Sequence, residues 1–576
     1  MVVFAVGCGK SPSQKLTALS EEFVYRSLAF SPSAATAAGL HQYQKQNLDE
    51  MLDDFGEQNL ARQRTFYAKF RDRLADLNTG ELTPEDRADL TILQNQIALN
   101  LLDLTETHSH QHCPQLYVET LGNALFAPYV LEYAPKPDRI RHIIARLQKV
   151  PLYLDQASGN LFSAPDVWNQ VAIEENQGNI NLVDKEIRGG VPPGQAEAYA
   201  RAARPALDAM AQFDKFLKTS LSGRNNYDWR LGGSVYARKF RYTLQSGTEA
   251  DNTLQQAERD LIAVRARMLE LALPLHRQAF PSHKDHTDLS GADRENAVIG
   301  EVLGKIADRH AGRDSYLDEA RKDLDEARAF VREKHLLTLP PRANLQVIPT
   351  PEFMRGSYPV GGFNSAPALE PQLGAFYWVT PIPPSWPQDR VDSKLREYNF
   401  YKLKLLTIHE AMPGHYVQME IANDVQPKAR RVLRSVFGNG PFIEGWGQYS
   451  TQVMLDEGFL AHSPELALTF AKEELRVLAN AILDIRLQML GMTDQEALDL
   501  MRKQTFQELE EATAKLQRAK LTSAQLPMYY VGWRAWIKTR DEYQQAKGSA
   551  FSLADFNDRA LREGAVPISV LGSLLK

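Results

Sequence analysis

The stretch His409-Glu410-Ala411-Met412-Pro413-Gly414-His415 constrains this chain more than any other. Two imidazoles and a carboxylate fall within seven residues, with the glutamate directly after the first histidine. Zinc hydrolase helices are written this way: two histidines hold the metal and the intervening glutamate activates a water. Those motifs space their histidines at i and i+4, on one helical face. Here the second histidine is six residues on, so a straight helix would point it roughly 120° away from the first. Pro413 offers no N–H and clashes with the carbonyl of His409, and Gly414 permits backbone angles other residues avoid. The spacing therefore predicts a helix that bulges or breaks at Met412–Gly414 and re-aims His415 toward His409. The alternative is that Pro-Gly simply ends the helix and leaves His415 in a loop. Upstream, Asp392 or Ser393 is the expected cap, and Leu395, Tyr398, Leu405, Ile408 and Met412 supply an apolar stripe.

A third ligand is available in Pro441-Phe442-Ile443-Glu444-Gly445-Trp446-Gly447-Gln448-Tyr449. Gly438-Asn439-Gly440-Pro441 marks a loop, after which Phe442, Ile443, Trp446, Tyr449, Val453 and Met454 recur at helical spacing. Glu444 thus falls in the first turn of a largely apolar helix. Its charge is favoured there by the helix dipole but is costly to bury unpaired, a cost that Zn2+ would remove. A solvated first-turn glutamate is the plain alternative.

His-Glu-x-x-Pro-Gly-His followed by Glu-Gly-Trp-x-x-Tyr resembles the bacterial DUF885 family, a group of candidate metallopeptidases related in pattern to zinc peptidases with a glutamate third ligand. The resemblance runs from about residue 20 to the end and is most specific over 398–576. It implies a mainly α, large helical peptidase fold with a deep cleft or channel, a zinc ion on His409, His415 and Glu444, and Glu410 as general base. Family members also carry a tyrosine three residues before a glycine, then an arginine, matched here by Tyr529, Gly532 and Arg540, with Tyr530 adjacent. A phenol can donate to the developing oxyanion, which makes Tyr529 or Tyr530 the expected donor, and Arg540 would bind a substrate carboxylate. Thr451, Gln488 and Asn557 depart from the family pattern and are expected to alter the groups that orient the histidines, and with them substrate preference.

The rest of the chain fits this reading. It has 576 residues, enough for a large core; 43% are hydrophobic and 24% charged, an ordinary soluble balance. A net charge of −6 without any basic tract argues against nucleic acid, and no apolar run is long enough to span a membrane. Helical periodicity covers 15–30, 59–77, 85–107, 138–154, 195–222, 251–274 and much of 293–334. The texture then changes. Leu345–Pro349, Gly361–Asn364 and Ala375–Val379 read as a small β-sheet next to the metal helix. The last segment, centred on Tyr377, is the expected edge strand for extended substrate. Region 15–340 would wall the cleft and 341–576 would carry catalysis, the two forming one integrated domain. Residues 1–14 look like a lipoprotein signal and tether, with an apolar run ending at Cys8 before a Ser/Pro stretch; lipid on Cys8 would hold the protein outside the cytoplasm, and without that signal the chain would be cytoplasmic. Cys113 has no intrachain partner then. His108, His110, His112 and Cys113 form a rival metal cluster if extended, or a solvated loop or helix end if not.

The sequence therefore predicts zinc-dependent hydrolysis of short peptides. Two alternatives remain: a zinc hydrolase of other amides or esters, and a degenerate lipoprotein that binds peptides or cell-wall fragments without cleaving them. Cleavage position, side-chain preference and oligomeric state are not encoded legibly.

Overall fold

The computed structural model describes residues 10–355 and 358–576. Helices dominate residues 12–334, starting with Pro12–Phe30, capped by Ser11, and are interrupted by the short antiparallel pair Gln42–Tyr43 and Gln46–Asn47. That helix begins inside the segment read as a tether; Cys8 lies outside the described residues. The expected helix over 138–154 is two, Lys136–Leu147 and Val150–Asn160. Pro151 has no N–H to donate, so it is accommodated in the first turn of a new helix rather than inside an old one. None of the described helices is long and apolar enough to cross a membrane.

The sheet has three strands, Leu345–Pro349, Gly361–Asn364 and Ala375–Val379, at the predicted positions. Its order corrects one expectation. Ala375–Val379 is the central strand, parallel to Leu345–Pro349 and antiparallel to Gly361–Asn364. Every residue in it is buried. Ala375, Tyr377 and Val379 enter the largest apolar core, while Phe376 and Trp378 enter a second core built from residues of the 52–221 region. A strand with both faces covered is continuously hydrophobic, and AFYWV is that. Both of its edges are already paired, so it cannot receive a substrate strand.

The largest core draws on residues from Ala88 to Leu575. A third core joins the N-terminal helices to Val432 and Leu433. Buried ion pairs follow the same seam, with Arg434 Nε 2.7 Å from Asp89 and Arg430 Nη2 2.8 Å from Asp86.

The metal helix, Phe400–Glu410, is separate from Gln388–Glu397. Its cap is Asn399, whose Oδ1 accepts from the N–H groups of Tyr401 and Lys402, rather than Asp392 or Ser393. Beneath the site runs Pro464–Met489, which carries the fully buried Asp484. Asp484 Oδ2 accepts from Tyr236 Oη at 2.6 Å and Ala524 N at 2.8 Å. Its other oxygen has no partner. Burial pushes this carboxyl up to about 7, against its hydrogen bonds and the charge of Lys239. The folded protein thus keeps a proton that the unfolded chain releases near pH 4. Stability from this group is full below that value and is lost as pH rises through about 7. Asp484→Asn preserves the shape without the titration. Its urea midpoint should match wild type at pH 4 and exceed it at pH 8, a gap on the order of 1–4 kcal/mol; an equal offset at both pH values would refute this account.

Candidate metal centre

The metal helix stops at Glu410, and the next helix, His415–Ala422, starts at the second histidine. Between them the Met412–Pro413 peptide is cis. Gly414 folds back so far that its N–H donates to Ile408 O at 3.0 Å. A Cβ at Gly414 would lie 1.8 Å from His409 O, so no other residue fits. The break brings the two imidazoles together, ring centroids 4.7 Å apart and nearly perpendicular.

The helix Gly440–Asp456 supplies the third group. Asn439 caps it through Phe442 N and also accepts from Ile568 N. Each residue of the Glu-Gly-Trp-Gly-Gln-Tyr run then has a distinct task. Glu444 faces the histidines, with Oε2 3.5 Å from both His409 Nε2 and His415 Nε2. Gly445 meets Gly532 of the helix Pro527–Lys547 so closely that a Cβ on Gly532 would fall 1.9 Å from Pro441 O. Trp446 Nε1 donates to Pro413 O at 2.9 Å and lies 3.2 Å from Gly414 O, clamping the turn. Gly447 leaves room for the His409 ring, 2.5 Å from where its Cβ would stand. Gln448 reaches His409 Nδ1 at 3.5 Å. Tyr449 donates to Asn557 Oδ1.

These three groups fit a metal ion. Tetrahedral zinc with bonds of about 2.1 Å separates its ligand atoms by about 3.4 Å, close to the two 3.5 Å distances here. Glu444 Oε2 is buried without a hydrogen-bond partner, an arrangement that is costly unless a cation answers it. Burial raises the Glu444 carboxyl, but the two histidines outweigh it and hold the group well below the usual carboxylate range. His415 is raised, burial opposing and Glu444 and Glu410 prevailing. Behind the imidazoles sit two amides that sequence reasoning missed: Gln418 Oε1 is 3.4 Å from His415 Nδ1, and Gln448 faces His409 Nδ1. Accepting from Nδ1–H, after a half-turn of the Gln448 amide, they direct both Nε2 lone pairs toward Glu444. Their signal was positional, one helical turn from His415 and from Glu444.

The group opens into a cavity of about 570 Å³. Glu410 lines it, as do Tyr529, Arg518 and the outer strand residues Gly361, Gly362 and Phe363. Tyr529 stacks on His409 at 6.2 Å, its hydroxyl 3.3 Å from Arg518 Nη2. Burial and the Glu444 charge push this phenol up to about 12 against the pull of Arg518, so it stays a donor at neutral pH.

Other expected site residues lie elsewhere. Tyr530, turned about 100° round the same helix from Tyr529, donates to Asp260 Oδ2 at 2.7 Å. Arg540 is about three turns farther on, paired with Asp541 and set over the Tyr449 ring; Arg518 and Arg476 line the cavity, and Arg518 is the one beside Tyr529. Tyr377 is buried in the central strand, its hydroxyl 3.2 Å from Thr407 Oγ1. Of the three departures, only Thr451 lines the cavity. Gln488 holds Leu231 N and Thr522 O, and Asn557 holds Leu336 O besides Tyr449, so both brace the core. The rival cluster is helical, Ser109–His112, with His112 stacked on Tyr227 and bound to Ser163 O. A helix turns its histidines apart, and burial pushes the Cys113 thiol up to about 12.

The sequence and the fold place the chain among known proteins. The profile of the family described as "Bacterial protein of unknown function (DUF885)" matches residues 32–575, and the chain belongs to that family. A solved structure of a candidate lipoprotein of unknown function from Shewanella oneidensis is 28% identical, with a TM-score of 0.77 over 98% of this chain and 100% of that one. A candidate lipoprotein from Colwellia psychrerythraea is 18% identical, also at 0.77, over 98% of each chain. Trypanosoma cruzi metallocarboxypeptidase 1 is 11% identical over 98% of this chain and 91% of that one, and at a TM-score of 0.37 the likeness carries no argument. No curated protein matches the sequence.

The clearance around His409 gives a test. In Gly447→Ala the new methyl displaces the imidazole, and zinc affinity should fall roughly 10–100-fold with helicity unchanged. Chelator competition on the folded variant measures it; unchanged affinity would show that His409 is not held from this side.

Proposed function

We propose that the chain is a zinc-dependent peptidase acting on short peptides. The observation that carries this is the buried, unpartnered Glu444 Oε2 set equally from two imidazole nitrogens, in one cavity with Glu410. His409, His415 and Glu444 would hold the ion, and two imidazoles with one carboxylate suit zinc. When bound, zinc supplies a Lewis acid that polarises a carbonyl and acidifies water.

Glu410 would take the proton from the attacking water and pass it to the leaving amine. Tyr529 would donate its hydroxyl to the oxyanion that forms on the attacked carbonyl. Arg518, beside Tyr529, replaces Arg540 as the group for a substrate carboxylate. Gly361–Asn364 is an outer strand of the sheet and its glycines face the cavity. An extended peptide pairs with such an edge through main-chain hydrogen bonds, which favours a peptide over an acylated small molecule.

Glu410→Gln should retain zinc and lose roughly 10²–10⁴-fold in kcat on a peptide library. Tyr529→Phe should lose about 10²-fold in kcat with little change in KM, while Tyr530→Phe stays near wild type. Wild-type turnover in Glu410→Gln would eliminate the mechanism.

We also propose that the protein is extracytoplasmic and carries lipid on Cys8. The support is the apolar run before Cys8 and the lipoprotein names of both relatives at TM-score 0.77. Radiolabelled palmitate should enter the wild type in its bacterial host and not Cys8→Ser; equal labelling of both would refute the anchor.

A further inference from the structure

The turn between the helices Ala250–Ala279 and Gly291–Ala307 gathers His276, His283, His286 and Glu301, with one ligand atom from each within 4.8 Å of all the others. A single oxygen, Glu301 Oε2, lies 2.9 Å from His276 Nε2, 2.8 Å from His283 Nδ1 and 3.2 Å from His286 Nε2. A carboxylate oxygen has about two lone-pair directions, too few for three donors. Consistent with that, His286 Nε2 is buried without a hydrogen bond.

The innermost histidine sharpens the argument. His276 is fully buried, and both its nitrogens face carboxylates. Asp285 Oδ1 is 2.9 Å from Nδ1, and Asp285 Oδ2 is held by Arg277 Nε at 2.6 Å. A neutral imidazole donates from one nitrogen only. With Nδ1–H given to Asp285, the Nε2 lone pair of the neutral ring is aimed at Glu301 Oε2, and two electron-rich atoms at that distance repel unless they share a proton or a metal ion. A carboxylate behind a histidine is also the usual support for a metal-bound imidazole.

We propose that His276, His283, His286 and Glu301 form a second divalent-metal site, selective for zinc, that clips this turn. Three imidazoles and a carboxylate make a complete tetrahedral set with no open position, the arrangement of a structural ion. Opening the cluster to tetrahedral spacing takes about 0.5 Å, which the partly exposed Glu301 can provide by rotation. The clip has a clear task. Lys284, Asp285 and His286 are three consecutive residues at positive φ (50°, 52° and 48°), a conformation that persists only when its surroundings enforce it.

The test starts from His409→Ala/Glu444→Ala, which dismantles the other centre, so that the two are counted separately. After dialysis this chain should retain about one zinc by mass spectrometry. Adding His283→Ala/His286→Ala, both on the surface turn, should reduce that to near zero with helicity unchanged. Co2+ supplied to the first variant should give the intense visible band of tetrahedral coordination. In the wild type, chelation should speed tryptic cleavage after Lys284 at least tenfold. Absence of zinc from His409→Ala/Glu444→Ala, or a weak octahedral cobalt spectrum, would overturn the site; cleavage indifferent to chelation would overturn the clip. Failure of the peptidase proposal alone would leave these counts unchanged.

Discussion

The charge of Glu444 governs the C-terminal half of this protein. Its inner oxygen is buried, no hydrogen-bond donor answers it, and two imidazoles approach it symmetrically. A bare carboxylate is among the most expensive groups to bury, so its surroundings have to be fixed to a few tenths of an ångström. Three elements meet for that purpose. The Pro-Gly turn re-aims His415, Trp446 holds the turn through its indole N–H, and the Gly445–Gly532 crossing draws the tyrosine helix in. Tyr529 sits one turn before Gly532, so the same contact that packs the helices sets the phenol beside His409.

The small sheet is the second constraint. Its central strand sends alternate residues into two separate cores, and no cut through the chain near residue 340 avoids both. The N-terminal helices are tied to the C-terminal half by buried arginine–aspartate pairs as well. Among the described strands, the outer strand Gly361–Asn364 is the one that lines the cavity, through Gly361, Gly362 and Phe363.

Much of this was legible in the residues. Helix positions followed from periodicity, and the three strands from short aromatic or β-branched runs between Gly and Pro. The six-residue spacing forced a break in the metal helix, because straight geometry would have separated the histidines. Strand order was not legible: a continuously buried pentapeptide reads alike at an edge or in the centre, and the choice depends on what else pairs with it. The Asn399 cap was hidden because Asp392 and Ser393 are good cap residues by type, and only the structure places them inside the preceding helix, Gln388–Glu397. Tyr529 and Tyr530 are equivalent by composition and are separated only by the 100° between consecutive helical residues.

The His276 cluster shows the same limit from the other side. Its histidines lie in charged, helix-prone sequence, and Glu301 follows in the next helix. No short motif unites them; they meet because the helices fold back on one another across a turn at positive φ. The sequence by itself determined the helical class, the sheet segments, the break at Pro413–Gly414 and the residue types for a three-ligand centre. These rest on local sterics and on spacing along one chain segment. Tertiary structure decided that Tyr529 rather than Tyr530, and Arg518 rather than Arg540, lines the cavity, which strand is central, which amides support the histidines, and that a second cluster exists. Each of those is a contact between segments far apart in sequence, fixed by packing rather than by any local preference.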